Sequence, residues 1–250
     1  MAVRRNVNSL TAAELTRLKQ AVATLRQRST QNPQNPTGWI AQANIHRDRC
    51  AHRNWWFHPW HRAYLYYFER LLQSAVGDTT LFLPYWDWTA QPSLPGSFWG
   101  ANNPLNDTTR VISPTSTANP GFVGLSVIDT ILRTTDFITF GGSPTSGPRV
   151  RGASGMLENT PHNYIHNFIG GTTGNMADPA LAARDPIFWL HHANVDRLWA
   201  RWAALHSGRS PTQSAWLNQT FTFTNTSGSP ASMTAAQTLS LQSLGYSYAP

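Results

Sequence analysis

The sequence predicts a mainly α-helical fold, an antiparallel four-helix bundle with long loops and minor β structure. Four segments are predicted to be helices, two from apolar residues at helical spacing and two from helix-start signals with side chains that share one face. Six of the nine histidines fall in two groups on helix-like sequence. Helix bundles commonly build metal sites from side chains on facing helices. We therefore expect a metal site inside the bundle.

The first two predicted helices cover residues 11–28 and residues 59–75. Thr11 and Glu14 have the spacing of a capping box, and apolar residues follow them at helical intervals. The apolar side of this helix is expected to pack on the core rather than to bind a membrane or a partner. In the second helix, His61 stands at the start of a buried apolar stripe.

The last two predicted helices cover residues 160–170 and residues 185–206. Thr160 is predicted to be the N-cap of the third helix, with Pro161 at its first helical position and a glycine pair at its end. The fourth helix opens with an Asp-Pro pair. On the third helix two histidines stand four residues apart, a spacing that brings two imidazoles to one metal ion.

The remaining segments are predicted to be loops and a docked tail. Residues 89–155 are rich in Pro, Gly, Ser, Thr and Asn, and are long enough to form structured binding loops. Residues 210–250 contain no charged side chain but include Trp216 and several other bulky apolar residues. A disordered tail would normally be charged or poor in apolar residues. We expect this one to dock on the core, partly as a strand over Thr220–Thr224.

Charge and composition exclude several classes of function. The net charge is +7, but the arginines are scattered without a basic run, so nucleic-acid binding is not expected. The sequence contains no run of about 18 apolar residues, so no transmembrane helix is predicted. The N-terminus lacks the apolar region of a Sec signal, which favours a cytoplasmic location unless a leader has been removed. The single cysteine, Cys50, excludes an intrachain disulfide.

The two histidine groups point to a particular metal. The first group lies between His46 and His61, and the second consists of His162, His166 and His192. Neither group carries a carboxylate or thiolate partner. An iron site usually contains a carboxylate, and a structural zinc site usually contains cysteine. Two all-imidazole sites therefore favour copper among the redox metals.

Two stretches closely resemble the signatures of the tyrosinase and polyphenol oxidase family of type-3 copper proteins. Phe57–Leu65 carries F-x-P-W-H-R-A-Y-L, and Asp185–Trp199 carries D-P-x-F-x-x-H-H-x-x-x-D-R-x-W. The resemblance runs from about Arg4 to Tyr248, and it includes a tyrosine motif like the one that closes the family's catalytic domain. It implies a single tyrosinase-type domain over residues 1–250, of the bacterial short type without a C-terminal shielding domain.

The resemblance also implies two copper ions, each held by three histidines. The implied ligands are His46, His52 and His61 for the first ion, and His162, His166 and His192 for the second. Only five residues separate His46 from His52, fewer than in most relatives, but no other upstream histidine is present to replace His46. His191 then lies beside the ligands or faces the substrate, unless it is a packed core histidine.

Three neighbours of the implied ligands are assigned roles. Cys50 and His52 match the Cys-x-His pattern that some fungal relatives and molluscan hemocyanins cross-link as a thioether, although a buried reduced cysteine is the alternative. Asp196, four residues after His192, is the natural candidate to support that imidazole, with a structural salt bridge as the alternative. His58 is expected to be packed rather than to compete for copper.

Four further residues bear on the substrate. Relatives that hydroxylate monophenols often carry a glutamate and an asparagine in the positions of Glu158 and Asn163, where they are proposed to hold a water that deprotonates the phenol. Capping and support of the ligands are the alternative roles. Pro179 stands where plant relatives place a bulky aromatic gate, so its small ring predicts a more open copper pair. Asn167 is expected to line the entrance.

The resemblance therefore implies oxidation of phenols by O₂, with hydroxylation of monophenols and conversion of o-diphenols to o-quinones. A catechol or o-aminophenol oxidase without monophenol activity is the first alternative. An O₂ carrier like hemocyanin uses the same ligands, but carriers normally cover the site. A non-redox metal bundle would make the phenol-site residues coincidental. The sequence leaves open the physiological phenol, the oligomeric state and whether a partner protein loads the copper.

Overall fold

The computed structural model describes residues 2–249 and is mainly helical. The helices are α1 (Ala12–Gln31), α2 (Trp39–Arg49), α3 (Phe57–Val76), α4 (Pro120–Val123), α5 (Leu125–Arg133), α6 (Phe137–Gly141), α7 (Asn163–Gly170), α8 (Ile187–Leu205), α9 (Ser214–Leu217) and α10 (Leu241–Leu244). The strands are β1 (Ala2–Arg4), β2 (Thr220–Thr224), β3 (Pro230–Thr234) and β4 (Tyr246–Tyr248). None of the helices between residues 2 and 249 combines the length and the apolar character that a bilayer crossing requires.

Helix α1 forms as the sequence predicts. The Thr11 side chain accepts a hydrogen bond from the backbone N–H of Glu14, and the Glu14 carboxylate accepts one from the N–H of Thr11. This reciprocal pair satisfies two N–H groups that the first helical turn leaves without partners. Leu18, Val22 and Leu25 are buried on one face, where α1 packs against α2 and α3.

Helices α3 and α8 form the centre of the bundle, and both predictions are confirmed within two residues. They pack directly against each other, and nearly all of α8 up to Trp199 is buried. Helix α3 ends at Gly77, whose φ of 63° is left-handed and favours glycine. A cluster of large aromatic side chains fills the space between them; Phe68 and Trp189, for example, stack with centroids 3.4 Å apart.

Helix α2 was not predicted, although it carries His46. Its N-cap is Gly38, which makes no side-chain capping bond. Its buried face contains the polar residues Gln42 and His46, so the apolar period is weak. Trp39 anchors the helix by donating its indole N–H to the carbonyl of Arg184, at 2.9 Å. Tertiary contacts rather than local sequence signals therefore explain this helix.

The predicted start of the third helix is wrong. Thr160 is not an N-cap, because helical structure already begins at residue 156 and passes through a π-helical turn over Glu158–His162 into α7. The backbone N–H of Asn163 bonds the carbonyl of Glu158, five residues earlier. The wider turn keeps Pro161, which has no N–H, inside a continuous helix. The predicted end at Gly170 is confirmed.

The prediction of loops over residues 89–155 is only partly right. Three short helices, α4 to α6, lie within this segment. Helix α5 buries Ile128, Ile131 and Leu132 and packs against α8. A repeat of apolar residues this short does not stand out in a segment rich in glycine and proline, which explains why the sequence pattern did not reveal it.

The C-terminal tail docks on the core as predicted. Strand β2 covers Thr220–Thr224 and pairs antiparallel with β3, and Trp216 and Phe223 are buried against the bundle. Strand β4 pairs in parallel with β1, so the two ends of the described chain lie side by side. The tail has no charged side chain, and it is held on the core because most of its apolar residues are buried there.

Candidate metal centre

The first histidine group comes from three separate segments. His46 lies on α2, His52 on the loop that follows it, and His61 in the first turns of α3. The centroids of the His46 and His52 rings are 5.1 Å apart, those of His52 and His61 are 5.0 Å apart, and those of His46 and His61 are 5.6 Å apart. The fold therefore brings these three imidazoles together around one point.

The second group comes from the π turn and two helices. His162 ends the π turn, His166 lies one turn later on α7, and His192 lies on α8. The Nε2 atoms of His166 and His192 are 3.4 Å apart. Two donors on one tetrahedral ion, each at about 2.0–2.1 Å, lie roughly 3.3 Å from each other. This separation therefore suits two ligands of the same ion.

The two groups are adjacent and form one cluster. The His61 and His192 rings stack with centroids 4.3 Å apart and an interplanar angle of 7°. The donor atoms of His46, His61 and His192 all lie within 4.8 Å of one another. His52 and His162 close the other side, with centroids 5.8 Å apart. Two ions bound here would be close neighbours.

Main-chain carbonyls fix which ring nitrogen carries the proton. The Nδ1 atoms of His46, His61 and His166 donate to the carbonyls of Pro179, Phe57 and Met176, at 2.7, 2.8 and 2.7 Å. A carbonyl only accepts, so each Nδ1 bears the hydrogen and each Nε2 keeps a lone pair. The Nε2 atoms of His46 and His61 are buried and have no partner among residues 2–249.

Electrostatics keep these imidazoles neutral. Burial lowers the pKa of His46 to about 3 and that of His166 to about 4. Burial, followed by the nearby histidines, lowers the pKa of His52, His61 and His192 well below the usual range. Neutral imidazole is the form that binds metal ions. The orphaned lone pairs and the depressed pKa values together fit a pair of cations held by histidine.

His191 lies next to this cluster but differs from its members. It is fully buried, and its donor atoms lie within 4.8 Å of those of His162, His166 and His192. Its Nδ1, however, accepts a hydrogen bond of 3.0 Å from the indole N–H of Trp88. The ring is stacked near His162 and does not line either cavity at the site.

Cys50 sits against the first group. Its Sγ lies 3.1 Å from Nδ1 of His52. Burial raises the pKa of the thiol to about 11, although Arg149 and Arg151 oppose the shift. The sulfur is therefore a thiol near neutral pH and a poor metal ligand, since the thiolate is the binding form.

The packing of His58 agrees with its expected role. The ring is 2% exposed and lies between Phe140 and Trp199, with centroid distances of 5.1 and 5.5 Å. It belongs to none of the groups within residues 2–249 that bring three donor atoms together. His58 is a packed aromatic residue of α3.

The predicted support of His192 by Asp196 is wrong. The Asp196 carboxylate lies 2.5 Å from Nε of Arg62 and accepts hydrogen bonds from the hydroxyls of Tyr246 and Tyr248, at 2.8 and 2.6 Å. All four side chains are wholly or largely buried. These three hydrogen bonds go to a guanidinium and two phenols, so the carboxylate ties α3 and α8 to β4 instead.

A cavity of about 250 Å³ opens onto the ligand cluster. Its wall includes four of the histidines and also Asn163, Asn167, Met176 and Pro179. The positions of Asn167 and Pro179 agree with their predicted places at the entrance. A second cavity of about 460 Å³ adjoins it, and His52, Asn163 and Pro179 line both.

Glu158 and Asn163 line the second cavity. The Asn163 Oδ1 accepts a hydrogen bond from Nδ1 of His162, at 2.9 Å. Glu158 is 1% exposed and accepts the backbone N–H of Arg53, at 2.8 and 3.0 Å. Burial raises the pKa of Glu158 to about 7, and the Arg53 N–H partly offsets this rise. A carboxyl that titrates near neutrality beside the ligands can exchange protons with a bound molecule.

Sequence reasoning missed Trp88 and the carbonyl of Pro179 as partners of the histidines. Trp88 lies 103 positions before His191, and the Pro179 carbonyl lies 133 positions after His46. The only sequence signal for Trp88 is its place in the stretch Leu83–Trp88, which also carries Asp87. Asp87 has a structural task, because its carboxylate lies 3.2 Å from the guanidinium of Arg197.

Comparison with known proteins places this cluster in context. The family described as the common central domain of tyrosinase matches residues 16–137 and 102–205. A tyrosinase of Hahella sp. (strain CCB-MM4) is 31% identical in an alignment of 304 residues, gaps included. The alignment covers 100% of this chain and 64% of that protein. Chloroplastic polyphenol oxidase A of Solanum lycopersicum is 29% identical over 99% of this chain and 46% of that protein. The chain thus spans about half to two thirds of the length of these curated relatives.

Comparison with solved structures points to the same fold. Latent apple tyrosinase superposes with a TM-score of 0.90 at 26% identity, over 100% of this chain and 63% of that chain. A functional unit of octopus hemocyanin superposes with a TM-score of 0.76 at 25% identity, over 100% of this chain and 68% of that chain. Tyrosinase family members bind two copper ions through histidines and use O₂ and phenols. The matched domain covers most of the chain, and the chain therefore belongs to the tyrosinase family.

Proposed function

We propose that this chain is a copper phenol oxidase that uses O₂ to hydroxylate monophenols and to oxidise o-diphenols to o-quinones. The observation that carries the proposal is the single buried cluster of two histidine triplets, with lone pairs left unpaired at its centre. Bound copper ions would supply the binding of O₂ and the transfer of electrons from the phenol. Both reactions need an organic ring brought to the two ions.

We assign the copper ligands as the sequence predicts. The first ion takes His46, His52 and His61, and the second takes His162, His166 and His192. The support for this assignment is the set of Nδ1–H bonds to main-chain carbonyls, which orients the rings and directs Nε2 inward. These bonds fix the protonation of the rings before a metal ion arrives, so binding requires little rearrangement.

The cavity beside the cluster would bind the phenol ring. Pro179 and Asn167 line its wall, and no bulky aromatic side chain is among its lining residues. A flat ring can approach the two ions from this side, while the aromatic side chains behind the histidines exclude water. The protein's contribution is thus to orient the ring hydroxyl toward the cluster.

Glu158 and Asn163 would handle the proton of a monophenol. A phenol has an unperturbed pKa of about 10, so it is protonated in neutral solution and needs a base to take its proton when it binds. The pKa of Glu158, raised by burial to about 7, makes it a base matched to neutral solution. Asn163 uses its carbonyl on His162, which leaves its amide hydrogens to hold a water between Glu158 and the substrate.

We also propose a thioether between Cys50 and His52. The Sγ atom lies 3.1 Å from Nδ1, which is bonded to the ring carbon Cε1 that would be linked. Forming the S–C bond removes the thiol hydrogen and the Cε1 hydrogen, that is two protons and two electrons, and the O₂ that the enzyme consumes would accept them. The link would hold His52 in one rotamer, and a mass 2 Da below that of the reduced chain would reveal it.

Two other functions remain as alternatives. A catechol or o-aminophenol oxidase would use the same ligands without the action of Glu158 on monophenols. A hemocyanin-like O₂ carrier is suggested by the similarity to the octopus functional unit. The cavity at the cluster is open enough to admit a ring, which favours turnover over O₂ storage.

The test is a pair of rates on protein loaded with two copper ions per chain. O₂ uptake is measured first with a monophenol and then with the o-diphenol of the same skeleton. Turnover of both supports the proposal. Turnover of the o-diphenol alone indicates a catechol oxidase, and reversible O₂ binding without turnover of either indicates a carrier. Failure to bind two copper ions would overturn all three.

A further inference from the structure

The outer cavity at the copper site has a rim of arginines. This cavity of about 460 Å³ is continuous with the ligand cavity through His52 and Asn163. Four arginines line it, Arg47, Arg53, Arg149 and Arg151. Only 19 of the 250 residues are Lys or Arg, so four around one opening form a local concentration of positive charge.

Acidic side chains neutralise this rim only in part. The lining contains two carboxyl groups, those of Glu158 and Asp178. Glu158 is buried, whereas Asp178 is exposed, and its carboxylate accepts the backbone N–H of Ala180 at 2.8 Å. Arg47 is paired with Asp48. Within residues 2–249 no carboxylate lies within 4.0 Å of the other three guanidinium groups.

The segment that carries the arginines is anchored. Asn54, which is fully buried, donates its side-chain amide to the carbonyls of Pro148 and Val150, at 2.8 and 3.1 Å. The N–H of Gly152 bonds the carbonyl of Arg53, at 2.7 Å. Arg149 and Arg151 therefore project from a loop whose backbone is tied to the segment beside His52.

Arg53 itself is held in an uncommon conformation. Its φ is 57°, in the left-handed region that residues other than glycine rarely adopt. The Glu158 carboxylate accepts its N–H, and Gly152 occupies its carbonyl, so both backbone groups are fixed. Such a conformation persists where the surroundings over-determine it, often at functional sites. Arg53 directly follows the implied ligand His52.

The rim adjoins the ligands. His52 lines both cavities, and the next residue in the chain, Arg53, lines the outer one. A molecule that occupies the ligand cavity and extends outward would therefore place its far end among the guanidinium groups.

We propose that the preferred phenol of this enzyme carries an anionic substituent, such as a carboxylate, on the side of the ring remote from the hydroxyl that reacts. This inference rests on the proposed function, because it names the substrate class of the same site. Guanidinium groups bind carboxylates through paired hydrogen bonds, and a cationic cleft raises the encounter rate of anions. A guanidinium group is a cation that presents its N–H donors in a planar fork, a geometry that matches a carboxylate.

The first test compares three o-diphenols that share the 3,4-dihydroxyphenyl ring and differ in the charge of a short side chain. They are 3-(3,4-dihydroxyphenyl)propionate, its methyl ester and dopamine, which carry a negative, a neutral and a positive side chain. For the copper-loaded enzyme at low salt we expect kcat/KM to be about tenfold higher for the acid than for the ester, mainly through KM, and lowest for dopamine. The preference for the acid should shrink as NaCl is raised, because salt screens exposed charges.

Variants distinguish binding of the anion by the rim arginines from an effect of net charge on activity. In the double variant Arg53→Gln/Arg151→Gln, the acid should lose its advantage while kcat/KM for the ester stays within about twofold of the wild type. Arg209→Gln is a control for the loss of positive charge elsewhere, since it removes one exposed arginine beyond the end of α8. The control should keep the full preference for the acid.

Binding without turnover provides an independent readout. Saturation-transfer NMR on the metal-free protein would compare 3-(4-hydroxyphenyl)propionate with its amide. A stronger signal for the acid, lost in the double variant and kept in Arg209→Gln, supports the inference. Equal kcat/KM for all three o-diphenols overturns it and leaves the proposed function standing. If no o-diphenol is oxidised by protein holding two copper ions, the proposed function fails, and the NMR comparison alone decides whether the rim selects anions.

Discussion

The indole N–H of Trp88 donates a hydrogen bond to Nδ1 of His191, at 3.0 Å. Indole nitrogen only donates, so Nδ1 of His191 must be the acceptor and, in the neutral ring, the hydrogen must sit on Nε2. Both nitrogens are then unsuited to bind a metal ion. Four histidines meet at the proposed second copper site, and this contact distinguishes His191 from the other three.

This relationship predicts the copper content of two variants. His191→Gln should keep two copper ions per chain, because the glutamine carbonyl can accept the same indole N–H and no ligand is lost. His192→Gln should hold only one, since it removes an imidazole from the second triplet. Elemental analysis of purified, copper-loaded protein measures both. Loss of a copper ion from His191→Gln would show that His191 is a ligand.

Glu158 should separate the two phenol oxidase activities. Glu158→Gln keeps an acceptor for the Arg53 N–H but removes the base, so monophenol hydroxylation should fall by about 10²- to 10⁴-fold while o-diphenol oxidation changes little. The steady-state rates with a monophenol and with its o-diphenol measure the split. Equal losses in both rates would instead indicate a structural role for the carboxylate.

The pH profile provides a second readout of the same group. The pKa of Glu158 is raised to about 7, so its basic form is present above this value and is lost as pH falls through it. The ratio of monophenol to o-diphenol turnover in the wild type should therefore decrease below about pH 7. In Glu158→Gln this ratio should be flat, and an unchanged slope would contradict the assignment.

Asp196 should matter for stability and not for copper. Its carboxylate is buried against Arg62, with Arg4 at 3.6 Å, so Asp196→Asn leaves two buried guanidinium groups short of negative charge. We expect a loss of about 3–5 kcal/mol in the free energy of unfolding. Tyr246→Phe, which removes one hydrogen bond to the carboxylate, should lose only about 1–2 kcal/mol.

Chemical denaturation of the metal-free protein measures these free energies, and copper titration of the folded variants provides the control. The copper content of folded Asp196→Asn should equal that of the wild type, because the hydrogen bonds of its carboxylate go to Arg62, Tyr246 and Tyr248 and none goes to His192. A selective loss of the second copper ion would instead support a role for Asp196 in holding that imidazole.

Acid should destabilise the metal-free protein. Burial lowers the pKa of His46 and His58 to about 3 and that of His166 to about 4, against about 6.5 in the unfolded chain. Between these values the unfolded chain binds more protons than the folded one. Stability is therefore full above about pH 6.5 and is lost as pH falls towards 4. Thermal unfolding at pH 7, 6 and 5 measures the trend.

His58 offers a clean test of this effect, because both of its ring nitrogens are buried without partners among residues 2–249 and it is outside the ligand groups. His58→Phe removes the titrating ring that lies between Phe140 and Trp199. It should reduce the difference in unfolding free energy between pH 7 and pH 5 by up to about 2 kcal/mol while copper content stays at two per chain. An unchanged pH dependence would mean that His58 is already protonated or hydrated in the folded protein.

Elements with strong local signals were predictable from the sequence. The capping box at Thr11 and Glu14 fixes the start of α1. The apolar stripe of α3 and the Asp-Pro pair that opens α8 give both helices within two residues. The strand over Thr220–Thr224 follows from its alternating aromatic and threonine residues in an uncharged tail. In each case residues close in the chain carry the information.

The histidine motifs are also local, so the amino-acid sequence alone was enough to name the candidate ligands. Their type, spacing and flanking residues are written in two short stretches of sequence. By contrast, the π turn at Glu158–His162 was missed because Thr160 and Pro161 imitate a helix start. The same residues fit inside a helix once the turn is widened by one residue, which local preference does not reveal.

What the sequence by itself determined is therefore the helical class, the main helices and the two sets of imidazoles. Only the tertiary structure decided how those imidazoles are held. Trp88 donates a hydrogen bond to His191, and the carbonyl of Pro179 accepts one from His46. Asp196 accepts its hydrogen bond from Arg62 and none from His192. These partners lie roughly 100 or more positions apart in the chain, and the pairing of buried donors and acceptors is settled only when the helices pack and water is excluded.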